Sequence, residues 1–236
     1  MKQAKMKVIL LSHTKDPEKT VVAAIRQCYS HLSGKDLWNK VTDSQKSRLI
    51  RQVISSGHHS TIEHASFTFS IEGVSRALTH QLVRHRIASF SQKSQRYVKE
   101  DNFDFVIPES IKKNKKNLEK YLSSIEKISE IYSTLLNSGV PPEDARMILP
   151  NACETKIVVT MNSRSLFNFF SERLCQRAQW EIRKMAAMML NECKKVAPNV
   201  FRYVGPTCVT EKICWQGDLN CGKPEKNKSI ELRRRF

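Results

Sequence analysis

Short strand-like runs separated by long helical stretches predict a fold that mixes helices with a sheet. Two observations carry this. Residues 65–71 alternate Phe67, Phe69 and Ile71 with Ser66, Thr68 and Ser70, the two-residue period of a half-buried strand. Residues 118–136 instead place Leu122, Ile125, Ile128, Tyr132 and Leu135 at the spacing of an amphipathic helix. With 236 residues, 40% of them hydrophobic, the chain is long enough for a proper core.

Taken in order, residues 7–12 (KVILLS) form an apolar run that suits a buried strand and opens the fold. Asp16-Pro17-Glu18 is a helix start, followed by Val21, Val22, Ile25 and Cys28 at helical spacing. Residues 44–55 read as a second helix, with Leu49 and Val53 on one side and an end near Gly57. After the strand at 65–71, residues 75–88 read as a helix with Leu78, Leu82 and Val83 facing inward. On it Arg76, His80 and Arg84 fall on one ridge, and Gln81 and His85 make a neighbouring pair. Beyond Ser89 the pattern turns extended or loop-like and frees Gln92, Ser94 and Arg96 to project.

The charge run at 112–117 is a solvated face. Pro141-Pro142-Glu143-Asp144 starts a short helix containing Arg146, and Leu149-Pro150 closes it. Residues 154–161 form another strand. A long helical region follows over 162–196, with Asn162 and Ser163 as caps and a break near Cys175 as one alternative. We expect a single domain over 1–204 and a peripheral tail over 205–236, whose basic ending at 233–236 is solvated.

Composition narrows the function. The excess of 40 basic over 23 acidic residues gives a formal net charge of +17, which favours an anionic partner without choosing one. The sharpest feature lies at 73–99, where Arg76, Arg84, Arg86, Lys93, Arg96 and Lys99 occur with no Asp or Glu. Its centre mixes Arg forks with hydroxyls and amides, a donor set that grips phosphate and reads a polar ring. On charge alone the competing reading is a nucleic-acid face.

The seven cysteines, with no secretory signal ahead of them, read as reduced thiols in a cytoplasmic protein. No apolar run approaches the roughly 18 residues of a membrane span. The order His59-x-x-x-Glu63-His64 misses the zinc-protease spacings. Cys208, Cys214 and Cys221 lack the tight pair of a structural zinc site. We therefore expect no metal and leave these thiols unassigned.

Four ordered blocks carry a family resemblance. Arg84-His85-Arg86, then seven intervening residues, then Ser94 resembles the signature of the flavin-dependent thymidylate synthases. Gly57-His58-His59-Ser60-Thr61-Ile62-Glu63-His64 resembles that family's Gly-His-x-Ser-x-x-Glu-His element, and Arg146 before Leu149-Pro150 its Arg-x-x-Leu-Pro element. Asn162 through Phe170 to Arg173, then Ala178-Gln179-Trp180-Glu181-Ile182, resembles its long C-terminal motif.

The resemblance implies an α+β fold, a central sheet flanked by helices, assembled as a homotetramer with active sites between subunits. It implies conversion of dUMP to dTMP, with 5,10-methylenetetrahydrofolate as carbon donor and NADPH as reductant of FAD, and no nucleic-acid or membrane partner. By the same resemblance Ser60, Arg84, His85, Arg86, Gln92, Asn162, Arg164 and Asn168 bind FAD. Gln81, Arg84, Gln92, Ser94, Gln95, Arg96, Arg146 and Arg173 bind the nucleotide. His58 reads either as an accessory residue at the flavin or folate site or as a structural histidine. Ser91, Gln92 and Arg177 depart from the family's usual Asn, Glu and His, which touches the finer flavin contacts.

The chemistry needs electron density on C5 of a uracil ring. No cysteine lies in the basic stretch to add to C6, so the thiolate route has no candidate there. Arg173, which the resemblance places at the nucleotide, is the expected activator, stabilising the ring's anionic form at its N3/O2 edge. Ser94 is the alternative nucleophile, but a serine needs an adjacent base. Arg164 and Asn168 share a helix face, whereas Arg173 lies about 140° further round at about 100° per residue. Either the helix breaks between them or different faces serve different sites of an oligomer; we favour the second.

Overall fold

The structure, a computed structural model, describes residues 1–222; the basic ending at 233–236 lies outside the described residues. The chain opens with β1 (Lys7–His13), α1 (Pro17–Gln27), α2 (Gly34–Asn39) and α3 (Asp43–Ser55). Pro17 sits in the first turn of α1, where its missing N–H leaves no bond unmade. Thr42 and Gln45 cap α3 reciprocally. The helix ends at Gly57, whose φ of +74° is a left-handed value that glycine tolerates. A 3-10 turn over His59–His64 leads into β2 (Ser66–Ser75).

In β2 the expected alternation holds, with Phe67, Phe69 and Ile71 fully buried. Gly73 has φ +66°, and a Cβ there would lie 2.1 Å from the Lys5 carbonyl oxygen, so this strand position requires glycine. The next helix, α4 (Arg76–Leu82), is shorter than the expected 75–88. The chain leaves the helix so that His85 can turn inward, where it is 9% exposed and packs edge-on against Phe169. Arg84 therefore does not continue a ridge with Arg76 and His80. β3 (Ser89–Gln92) follows.

Next come α5 (Glu109–Lys112), α6 (Lys115–Asn137) and α7 (Pro142–Ala145), the last running into a 3-10 turn that carries Arg146. After them stand β4 (Glu154–Asn162), α8 (Ser163–Arg173), α9 (Trp180–Val196), α10 (Pro198–Phe201) and α11 (Thr207–Thr210). Asn162 caps α8, its Oδ1 accepting from the Ser165 amide at 2.8 Å. The interruption between α8 and α9 contains Cys175. Arg164, Asn168 and Arg173 consequently belong to one unbroken helix.

The fold is α+β, with a four-stranded antiparallel sheet in the order β1-β2-β4-β3. β1, expected to be buried, is an edge strand with Ile9 47% and Leu11 56% exposed. An edge strand is paired on one side only, so its apolar run is not enclosed.

Two compact units divide the chain. One comprises Met1–Lys7, Ser70–Arg84 and Phe90–Val159, and the other Val8–Phe69, His85–Ser89 and the chain from Thr160 onward. The first has a core of Phe103, Phe105, Ile107, Ile125 and Cys153. The second is built on rings: Phe201 stands edge-on to Phe67 with centroids 5.3 Å apart, and touches Phe167 at 5.8 Å and Phe170 at 6.2 Å.

Candidate active site

In the second unit α8 sends its functional side chains in two directions. Arg164 and Asn168 line a cavity of about 660 Å³, together with Arg51 and His59. His59 is fixed from two sides. Its Nε2 lies 3.1 Å from the Ile54 carbonyl, so it donates there, and its Nδ1 receives the Arg164 guanidinium. Ser60 is exposed in the 3-10 turn beside it, and so is His58, whose carbonyl accepts from Thr61 at 3.4 Å. Asn162 spends its amide oxygen on the cap of α8 and keeps its NH2 group for other partners.

At the other end of the helix, the Arg173 Nε–H donates to His85 Nε2 at 2.9 Å. A guanidinium only donates, so His85 is the neutral imidazole with its proton on Nδ1. Burial, then the nearby Arg173 charge, hold its pKa below the ordinary 6.5, against the opposing pull of Glu172. Within α8, then, Arg164 and Asn168 address the cavity while Arg173 addresses His85, as the helical angles require.

This arrangement has a pH consequence. Because the folded-state pKa of His85 is lowered, the unfolded chain takes up a proton first as pH falls. The contribution of His85 to stability is complete above about 6.5 and is lost below it, towards the lowered value. An NMR titration of the His85 ring should give a midpoint below 6.5, and His85→Gln should flatten this part of the stability profile. A midpoint at or above the ordinary value contradicts the assignment.

The first unit gathers the nucleotide candidates other than Arg173. Gln92 donates both amide hydrogens, to Thr79 Oγ1 at 3.0 Å and Thr155 Oγ1 at 3.2 Å, and keeps its carbonyl oxygen as an acceptor. Gln81 bonds its own helix through Ala77. Ser94 Oγ accepts the Arg96 amide at 3.2 Å, which uses the hydroxyl to shape the turn. Arg96 pairs with the Glu143 carboxylate, and Arg146 Nε donates to the Glu143 carbonyl at 3.1 Å. One residue thus brings two of the expected nucleotide-binding arginines together. Gln95 is buried, 7% exposed, with its amide donating to Cys153 Sγ at 3.5 Å. Arg84, in the first unit, and Arg86, in the second, are exposed.

Comparison with known proteins now gives this geometry a context. A model of the family described as thymidylate synthase complementing protein matches residues 9–199. The chain belongs to that family. Among its relatives, a flavin-dependent thymidylate synthase of Geobacter sulfurreducens is 49% identical over 227 residues, covering 95% of this chain and 97% of its own. One from Clostridium tetani is 47% identical over 243 residues, covering 96% and 97%. Among solved structures, the UMP/dUMP methylase PolB of Streptomyces cacaoi, bound with 5-Br dUMP, is similar with a TM-score of 0.77. It is 25% identical, and the match covers 85% of this chain and 95% of that one.

Within this thymidylate synthase framework, several residues escaped the sequence reading. His59, adjacent to the expected His58, is the one that holds Arg164. Lys93, counted among the free cations of the basic stretch, lies 3.0 Å from Glu100 and 3.4 Å from Glu154. Glu154 also accepts the Gly73 amide at 3.0 Å. Burial raises the pKa of Glu100; burial lowers that of Lys93, but the Glu100 hydrogen bond and the Glu100 and Glu154 charges together outweigh it and leave it raised. Lys93 therefore anchors the turn carrying Ser94 and Arg96 instead of offering its charge to a ligand. No spacing announces such a contact, because Glu154 is distant in sequence.

The cysteines also fall into place. Cys153 is fully buried, with its thiol pushed up to about 12 by burial and then by Glu100, so it is no thiolate at neutral pH. Cys208 is raised by burial and by its neighbours Cys214, Cys175 and Cys221, so Cys175 joins the unassigned group. Among the described residues no cluster of three or more His, Cys, Asp or Glu is arranged to hold a metal ion. No helix there is long and apolar enough to cross a membrane.

Proposed function

We propose that this protein is a flavin-dependent thymidylate synthase, methylating dUMP to dTMP with 5,10-methylenetetrahydrofolate as carbon donor and NADPH as reductant of FAD. The observation that carries this reading is Arg173, oriented by a neutral His85 in a chain whose cysteine nearest the nucleotide candidates is locked as a thiol. The flavin-dependent relatives and the dUMP methylase neighbour support it.

The donor set suits FAD: guanidiniums for a pyrophosphate, amides and hydroxyls for the sugars, and aromatic rings in a cavity of about 660 Å³. Ser60, Arg84, Arg86, Asn162, Arg164 and Asn168 would hold it, with Gln92 and His85 as supporting residues. When bound, the flavin supplies the hydride that reduces the transferred one-carbon unit to a methyl group.

The chain's own residues bind and polarise. Arg96 exchanges the Glu143 carboxylate for the dUMP phosphate, which it binds together with Arg146, and Ser94, Gln95 and Gln81 fix the nucleotide beside them. Arg173 donates N–H groups not used on His85 to the pyrimidine N3/O2 edge and stabilises the negative charge that raises electron density at C5. His85 keeps that fork aimed, and His58 assists at the exposed turn. The working form is a cytoplasmic homotetramer with sites completed between subunits. The exposed Ile9 and Leu11 of β1 supply apolar surface for such an interface.

Product analysis tests the reading. FAD-loaded protein given dUMP, methylenetetrahydrofolate and NADPH should form dTMP, and omission of FAD should abolish it. Folded, FAD-loaded protein that makes no dTMP contradicts the proposal. So does a protein that cannot be loaded with FAD but binds DNA with steep salt dependence.

A further inference from the structure

The cavity in the second unit has a wall that no motif announces. It is hung from α10, where Phe201 is fully buried among phenylalanine rings. Beside it the Asn199 backbone N–H and side-chain NH2 donate to the two Glu18 carboxylate oxygens at 2.5 and 2.7 Å. Beyond this anchor the chain turns through α11. The Glu211 amide bonds the Thr207 carbonyl at 2.8 Å and the Ile213 amide bonds the same carbonyl at 3.4 Å, which returns Trp215 to the cavity.

Tyr203, Glu211 and Trp215 thus line the cavity together with Arg51 and Arg164. Tyr203 is 59% and Trp215 47% exposed, and the Arg202 guanidinium lies 5.4 Å from the Tyr203 ring. Large aromatic faces beside guanidiniums are the means by which proteins hold a base and its phosphates at once. A single carboxylate in such a setting suits sugar hydroxyls or an exocyclic amine, both of which donate. Glu211 is in that position.

We propose that Trp215 and Tyr203 stack on the adenine end of the flavin dinucleotide, making the 203–215 segment the part of the site that distinguishes FAD from FMN. The inference rests on the flavin reading of this cavity. Adenine also occurs in NADPH, and the test separates the two.

Dissociation constants for FAD, FMN and NADPH are measured on the full chain for wild type, Trp215→Ala, Trp215→Phe and Tyr203→Ala, with far-UV circular dichroism to confirm folding. Losing one stacked ring should weaken FAD about tenfold, within the usual range for base–aromatic stacking. FMN and NADPH should be little changed, and Trp215→Phe should stay close to wild type. Tyr203→Ala should repeat the pattern and decides the matter if Trp215→Ala does not fold. Unchanged FAD affinity in the folded variants overturns the inference, as does equal weakening of FAD and FMN, or weakening confined to NADPH. Wild-type protein with no FAD affinity overturns the functional proposal as well.

Discussion

Replacing Arg173 with alanine is expected to lower kcat by about 10²–10³, the usual cost of removing one group that stabilises charge developing in a transition state. FAD loading should survive, because Arg173 is not among the residues that line the cavity of Arg164 and Asn168. The dUMP KM should rise far less than kcat falls, since Arg96 and Arg146 remain to bind the phosphate. Lysine should recover part of the rate, because it restores the charge but not the planar fork that His85 orients. Steady-state kinetics on FAD-saturated variants decide this. A kcat for Arg173→Ala within about threefold of wild type means the activation comes from elsewhere. Cys153 would be a poor substitute, with its thiol held at about 12.

Truncation of Phe201 to alanine should have the largest effect on stability. The ring is fully buried and meets Phe67, Phe167 and Phe170 edge-on, so its loss removes both apolar burial and aromatic geometry. A Phe→Ala change in such a core costs about 3–5 kcal/mol. For a chain of this length that corresponds to roughly 10 °C in Tm. Leucine should restore much of the loss. Differential scanning calorimetry on the FAD-free protein measures it directly, and a shift under about 2 °C would place Phe201 outside the cooperative core.

Much of the fold was legible because it follows from local pattern. The alternation of Phe67, Phe69 and Ile71, the capped start of α8 and the amphipathic spacing of α6 each report a periodic burial that the structure contains. The divergence of Arg173 from Arg164 and Asn168 could be computed from helical angles alone. What stayed hidden depends on contacts distant in sequence. The burial of His85 against Phe169 ends α4 early, and nothing before residue 89 signals it. Lys93 looked like a free cation because its partners Glu100 and Glu154 lie outside the acid-free stretch. The edge position of β1 cannot be read from its own apolar run. The segment at 203–215 lacks apolar periodicity because a cavity wall is built from singly placed residues, such as Tyr203 and Trp215.

In the proposed reading Arg164, in the second unit, serves the flavin and Arg96, in the first, serves the dUMP phosphate. Equilibrium binding of FAD and dUMP to Arg164→Ala and Arg96→Ala tests that division, with FAD kept saturating while dUMP is titrated. Arg164→Ala should lose FAD affinity about tenfold or more and retain dUMP binding, while Arg96→Ala should do the reverse, as expected for loss of one charge-assisted bidentate contact. Equal loss of both ligands in both variants, or loss of neither, contradicts the account.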